Sequence, residues 1–397
     1  MTFPLLIISD APTAGTGLAR ITRDLATRNY NCIGEVEVAT LGYGGPYKSS
    51  LGFHQYTMDM QDWVIYNLPD VWQDFAGDRQ GAVLTIWDAS RLLWFARPEN
   101  CTDERLRSFL AKPNFRRWGY FPMDATGPHD KLTMILKHTI EGYDRVLAYS
   151  KWAEKILLRT CPKLDSITNL PHGIDTSVFK PRNRAAARHG VGERIGAKKQ
   201  NGSWLSVPDD SLMIGIVATN NPRKDFGLAI ATVAEIAKER NVFLWIHTDV
   251  LEKHWSLPAL LFDFGLNDAA RNFITLKPMT DEQMSWMYSA CDVTLGIGMS
   301  EGFGYPIFES LACGTPCVHG EGGGAPEHMP EEFIVLPDTH HLEGVYNCYR
   351  PIHSPQAWAR RVRELYLVKH RVTGLPPDLD WNKLWPRWEA WLRAGVL

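Results

Sequence analysis

Paired cysteines, long apolar runs and an excess of one charge are all missing from this chain of 397 residues. The seven cysteines (32, 101, 161, 291, 313, 317 and 348) are odd in number and form no CxxC pair, so neither a disulfide framework nor a thiolate zinc site is expected. A reducing, cytoplasmic compartment follows as the expectation. No stretch approaches the ~18 apolar residues of a membrane-spanning helix, and the short run Leu5 to Ile8 has no basic residues before it, which excludes a signal peptide there. Lys and Arg total 42 against 45 Asp and Glu, a net charge of −3 that supplies no global field for nucleic acid or an anionic membrane. What the chain does have is an ordinary globular composition, 45% hydrophobic, and a length that predicts more than one domain.

Short β-rich apolar runs alternate with helical stretches. The first series comprises Leu5 to Ser9, Val36 to Leu41, Ala82 to Trp87, Trp118 to Phe121, Val146 to Tyr149 and Ile167 to Leu170. The second comprises Leu212 to Thr219, Val242 to His247, Phe273 to Leu276, Val293 to Ile297, Pro316 to His319 and Phe333 to Leu336. This alternation predicts an α/β protein with two Rossmann-like domains in tandem, over residues 1–175 and 176–375. Residues 182–208, with six Lys or Arg against Glu193, read as a solvated basic linker or excursion. In the second domain's first helix, capped by Asp225, Ile230, Val233, Ala234 and Ala237 are expected to form the buried stripe. Residues 376–397 predict a tryptophan-rich helix, with Trp381, Trp385, Trp388 and Trp391 on one face, crossing back to pack on the first domain.

The segment Ser300-Glu-Gly-Phe-Gly-Tyr-Pro-Ile-Phe-Glu-Ser-Leu-Ala-Cys-Gly-Thr-Pro316 carries the most chemistry. It predicts a strand, a glycine-rich turn at Gly302-Phe303-Gly304, a helix opened by Pro306 and closed by Gly314, and an anion or sugar-oxygen site at the helix start. Glu301 falls on the loop and Glu309 is expected in the helix's first turn. Two carboxylates there would repel a phosphate they touched, so they suit hydroxyls on either side of a diphosphate.

These residues resemble the Glu, seven residues, Glu motif of retaining glycosyltransferases of the GT-B fold, family 4. Gly322-Gly-Gly-Ala-Pro-Glu327 resembles that family's following glycine-rich turn, and Leu170-Pro-His-Gly-Ile-Asp-Thr-Ser-Val-Phe-Lys-Pro181 its interdomain junction. The resemblance implies that Glu309 holds the donor ribose, Glu301 contacts the donor sugar, and Lys224 of Asn220-Asn-Pro-Arg-Lys-Asp225 meets the diphosphate. Where the family has an arginine this chain has Thr219 or Asn220, so Arg223 is the substitute; where it has a histidine, Ile86-Trp-Asp88 offers Asp88, with Asp124 a further candidate for orienting an acceptor hydroxyl. Two cations can do for a leaving diphosphate what a metal ion does elsewhere, so no metal or cofactor is expected beyond a nucleotide-diphosphate sugar as co-substrate.

Gly15 and Gly17, between the first strand and its helix, could let backbone approach a phosphate. With Glu37 at a distance that suits a ribose, they also support a rival nicotinamide oxidoreductase; a nucleotide-sugar epimerase of the same shape is a further alternative. His172 and His319 read as structural histidines. The acceptor is open among a glycan, a small molecule and hydroxymethylated DNA of the kind viral enzymes modify. The DNA reading rests on Arg91, Arg97, Arg105, Arg107, Lys112, Arg116 and Arg117, four more charges than the Glu99, Asp103 and Glu104 among them, interleaved with Trp94, Phe109, Phe115 and Trp118.

Overall fold

The structure, a computed structural model, describes residues 2–164, 167–198, 202–268, 271–344, 346–368 and 374–396. The chain divides into two compact units, one of residues 1–172, 344–348 and 384–397, the other of residues 173–343 and 349–383. The first unit therefore takes in most of the C-terminal helix Trp381–Val396.

The sheet of the first unit has seven strands: β1 (Phe3–Asp10), β2 (Val36–Tyr43), β3 (His54–Thr57), β4 (Gly81–Thr85), β5 (Phe115–Tyr120), β6 (Arg145–Ala148) and β7 (Ile167–Asn169). They lie in the order β3-β2-β1-β4-β5-β6-β7, every pair parallel. Runs such as Leu5 to Ile8 are apolar at every position because helices cover both faces of a parallel sheet. Helix α1 (Gly17–Cys32) starts at Thr16, whose hydroxyl accepts from the Ala19 N–H at 3.1 Å. Strand β3 has no counterpart in the sequence reading: His-Gln-Tyr-Thr is a short, half-exposed edge strand without an apolar alternation to betray it.

The second unit carries β8 (Leu212–Val217), β9 (Val242–His247), β10 (Asn272–Thr275), β11 (Val293–Gly296), β12 (Cys317–Gly320) and β13 (Ile334–Val335), parallel and in the order β10-β9-β8-β11-β12-β13. In each sheet the chain runs outward on one side of the first strand and then resumes on its other side. The strand order thus reverses between β1 and β4 and between β8 and β11, and in open α/β sheets ligands bind outside the carboxyl ends of the strands at that switch point.

Helix α2 (Phe226–Ala237) is capped by Asp225, which accepts from the Leu228 N–H at 2.8 Å. Its buried stripe is Phe226, Ala229, Ile230, Val233 and Ile236; Ala234 and Ala237 are only half-buried, one position off the face expected. The described residues of 182–208 include two short helices, Arg184–His189 and Val191–Ile195, and although much of the stretch is exposed, three of its cations are bound: Arg184 and Arg188 both ion-pair with Asp292, and Arg182 reaches Glu282 at 2.6 Å. Burial of Asp292 demands those partners, and spacing in the sequence cannot show a carboxylate a hundred residues away. Lys199, counted in that basic run, lies outside the described residues. The tryptophans of Trp381–Val396 are buried; within the first unit Trp391 meets Trp118 edge-on at 4.9 Å and the Trp388 indole donates to the Pro171 carbonyl at 2.8 Å.

Candidate active site

Charge gathers in the second unit at the carboxyl ends of β8 and β11. The loop after β8 is stitched to the loop after β11 through backbone: Asp225 N–H donates to Ile297 O at 2.9 Å and Met299 N–H to Arg223 O at 3.0 Å. This brings Arg223 and Lys224 against Glu301. The Lys224 ammonium ion-pairs with one carboxylate oxygen of Glu301 and the Arg223 guanidinium lies 3.2 Å from the other, while also donating to Ser300 O at 2.9 Å. Glu301 is buried. Burial alone pushes its carboxyl up, but the charges of Lys224 and then Arg223 outweigh that and bring it down to about 2, so the group is a carboxylate at neutral pH.

The glycine-rich turn is held by its own backbone. The Glu301 carbonyl accepts from Gly324 N–H at 2.8 Å and Ala325 N–H at 3.1 Å, and Gly323, at φ +81°, passes so close that an added Cβ would stand 2.3 Å from that carbonyl. Gly304, at φ +85°, turns the chain into helix α3 (Tyr305–Ala312), whose start has no side-chain cap. Gly302 and Phe303 are buried and Gly304 half-buried; the Phe303 ring packs on Phe308 at 4.7 Å, which turns that side chain into the fold. Pro306 lies in the helix's opening turn, but Glu309 is its fifth residue and so stands in the second turn, not the first. Buried there, Glu309 accepts from the Tyr288 hydroxyl at 2.8 Å. Tyr288, on the helix Asp281–Ala290, escaped the sequence reading because nothing local marks it.

Asn220 cannot stand in for a cation: it is fully buried, accepting from Trp255 N–H at 3.0 Å and donating from its amide to Trp255 O at 2.8 Å. His319 is buried on β12 with Nδ1 against Gly296 O at 2.5 Å, and His172 lies beside the Tyr120 hydroxyl at 2.9 Å; both sit as structural histidines do.

The other candidates belong to the first unit. Asp88 follows β4 and Asp124 follows β5, both half-buried at strand ends. Gly15 and Gly17 lie exposed at the start of α1, and an added Cβ at Gly15 would meet nothing. The nicotinamide reading fails on Glu37: it is the second residue of β2, at the amino end of the strand, ion-paired with Arg79 at 2.6 Å, whereas a ribose-binding carboxylate belongs at the carboxyl end. The basic, aromatic run also resolves otherwise than expected for DNA. Trp94, Phe115 and Trp118 are buried, Arg117 donates to Phe95 O and Leu110 O, Arg116 to Gly395 O, Arg107 to Cys101 O, and Arg105 pairs with Asp70. These aromatic rings are core and, with Arg97 donating to His138 O, four of the seven cations are committed to backbone carbonyls, which leaves no stacking stripe.

Among the described residues no group of three or more His, Cys, Asp or Glu is arranged to hold a metal ion, and no helix is long and apolar enough to cross a membrane. Residues 211–367 match the family described as Glycosyl transferases group 1. The chain is 26% identical over 189 residues to D-inositol 3-phosphate glycosyltransferase of Saccharomonospora viridis, covering 45% of this chain and 40% of that protein. It is 27% identical over 169 residues to MMP alpha-(1->4)-mannosyltransferase of Mycolicibacterium hassiacum, covering 43% and 33% respectively. The chain thus spans less than half the length of these curated relatives. In fold, it is similar to sucrose-phosphate synthase from Thermosynechococcus elongatus (TM-score 0.72, 17% identity, 99% and 98% of the two chains). It is likewise similar to Anabaena HepE, solved with UDP and glucose (TM-score 0.71, 14% identity, 99% and 100%). The match to the group 1 glycosyl transferases is carried by residues 211–367, in a chain with the fold of GT-B glycosyltransferases, two Rossmann-like units in tandem.

Proposed function

We propose that the protein transfers a sugar from a nucleotide-diphosphate donor to an acceptor hydroxyl, with retention at the anomeric carbon. The observation that carries this reading is the meeting of Glu301 with Lys224 and Arg223 beside an uncapped helix start, at the switch point of the second sheet. Lys224, Arg223 and the backbone N–H groups of residues 302–304 face the diphosphate; Glu309 holds the ribose and Glu301 the sugar. As the bond from the anomeric carbon to the β-phosphate oxygen breaks, the ring gains positive charge and the phosphate negative charge. The cations stabilise the second and the Glu301 carboxylate the first. The acceptor oxygen bonds on the face the phosphate leaves, and its proton passes to the departing phosphate oxygen. Asp88 and Asp124 orient the acceptor hydroxyl. The two fixed cations supply the charge that a divalent ion supplies in other transferases, so activity is expected to persist in EDTA. Six of the seven cysteines are buried, in keeping with a reducing, cytoplasmic setting.

The test is a thermal-shift screen with UDP, GDP, ADP and their sugars, followed by product analysis of any donor that stabilises. A ligand at 100 times its Kd adds about 2.7 kcal/mol of stability. The expected product is a glycoside with the donor's anomeric configuration. A free, epimerised sugar formed without acceptor would make the protein an epimerase instead, and complete loss of activity in EDTA with recovery on Mn²⁺ would overturn the cation assignment.

A further inference from the structure

The first sheet's switch point holds a cluster that donor handling does not use. Asp10 ends β1 and is the register partner of Tyr43, which ends β2; the indole of Trp87, just past β4, donates to Asp10 at 3.0 Å. Above them, Met60–Gln61 and Val64–Ile65 pair as a small antiparallel hairpin closed by Asp62 and Trp63. Both closing residues have positive φ, +49° and +68°. Two-residue turns of this kind take Asn-Gly or Gly, and a tryptophan there is disfavoured by its Cβ.

This tryptophan is nevertheless fixed from several sides. The Arg91 guanidinium lies 3.7 Å from its ring centroid, the Trp87 ring meets it edge-on at 5.8 Å, and the buried Trp94 indole donates both to Trp63 O at 2.9 Å and to Arg91 O at 3.0 Å. One buried N–H thus holds the turn and the arginine in register. Trp63 is still 39% exposed, and Tyr43, its ring centroid 6.2 Å away with the planes 61° apart, is 49% exposed. Burial does not explain a large ring left this open, and the turn itself would prefer glycine. Strained, rigidly held side chains of this kind collect where a ligand is bound.

We propose that Trp63 and Tyr43, braced by Arg91, form a platform for a neutral sugar ring, the acceptor's on the transferase reading given above. The two rings meet edge to face at 61°, so they do not offer one flat stacking surface. A flat base stacks on one and loses the other, whereas a pyranose chair can lay C–H groups against both and turn its hydroxyls to the rim. Asp62, next to Trp63 in the turn, and Asp10, whose carboxylate accepts from the Trp87 indole and the Thr16 hydroxyl, bring negative charge that disfavours a phosphate backbone, and the Arg91 guanidinium is already engaged with the tryptophan. Neutral carbohydrate therefore fits this pair of rings better than nucleic acid.

The experiment uses the full chain, wild type and the Trp63→Ala, Trp63→Phe and Tyr43→Ala variants, with folding checked by circular dichroism. Saturation-transfer NMR is recorded against the methyl glycopyranosides of glucose, galactose and mannose, with a short single-stranded DNA as the competing arm. Thermal shifts with UDP, GDP and ADP are recorded on the same samples. The expected result is saccharide binding by wild type, weakened at least tenfold in Trp63→Ala and Tyr43→Ala and partly kept in Trp63→Phe, with nucleotide shifts unchanged. Wild type that responds to a nucleotide but binds no saccharide, a Trp63→Ala variant that binds as well as wild type, or binding of the DNA alone would each overturn the platform. Trp63-dependent saccharide binding without any nucleotide response would keep the platform and sink the transferase reading.

Discussion

The switch points of the two sheets share a topology and differ in material. After β8 and β11 the chain assembles charge: a buried carboxylate between a lysine and an arginine, on a turn fixed by backbone hydrogen bonds. After β1, β2 and β4 it assembles aromatic rings, with Asp10 tied to an indole and Trp63 braced by Arg91. The parallel sheet supplies the crevice in both cases, and the side chains at the strand ends decide what each can hold: developing charge in one, uncharged ring faces in the other.

The largest effect that would break this contrast is expected from Lys224→Met. It removes the main counter-charge of a buried carboxylate, and breaking such a pair typically destabilises by about 3–5 kcal/mol. Urea unfolding measures it, and adding Glu301→Gln in the same chain should restore most of the loss. A cost no greater than that of an exposed lysine would mean that the charge is not buried as described. Next in size, Glu309→Ala should weaken nucleotide binding by roughly 10- to 150-fold, since a hydrogen bond to a charged group contributes about 1.5–3 kcal/mol. Glu301→Ala should mainly lower turnover, and Asp88→Asn should leave nucleotide affinity as it is. Calorimetry with the stabilising nucleotide compares the three, and equal losses in Asp88→Asn and Glu309→Ala would erase the division of labour.

A smaller effect is expected in the aromatic region. Trp63→Gly relieves a left-handed backbone while losing the Arg91 contact, so its net stability change should stay within about 1 kcal/mol. A much larger loss would show that the ring serves the fold.

A separate effect is a pH dependence carried by two buried histidines of the second unit. The His353 ring lies where a side chain on Gly320 would stand, and burial brings it down to about 4; burial also lowers buried His319. The unfolded chain binds these protons near the ordinary histidine pKa of about 6.5 and the folded chain does not. Between that pH and about 4 the unfolded state therefore holds more protons, and stability falls as the pH is lowered through the window. His353→Asn should flatten part of that slope in denaturant titrations; an unchanged slope would assign it to other groups.

What could be read in the sequence was what is contiguous. All twelve apolar runs lie on strands of the two sheets, and the turn from Ser300 to Pro316 is legible because its glycines, proline and two glutamates act within one strand-turn-helix unit. The misreadings share one cause. Glu37 was placed by its distance along the chain from Gly15 and Gly17, but it occupies the wrong end of its strand. The arginines from 91 to 117 suggest a face by their number, but four of the six donate to backbone carbonyls and one pairs with Asp70. Arg182, Arg184 and Arg188 read as solvated because Asp292 and Glu282 are far off in the chain.

By itself, then, the sequence determined the two sheets, through apolar runs that only a doubly covered parallel strand can bury, and the glycine-rich turn, through residues whose backbone needs are local. Tertiary structure alone decided which charges meet. Lys224 and Glu301 stand 77 residues apart, Tyr288 and Glu309 21, and Trp63 is braced by an arginine from another element. Burial and Coulomb energy depend on distance in space, and only the order of the strands in the sheet converts a separation along the chain into that distance.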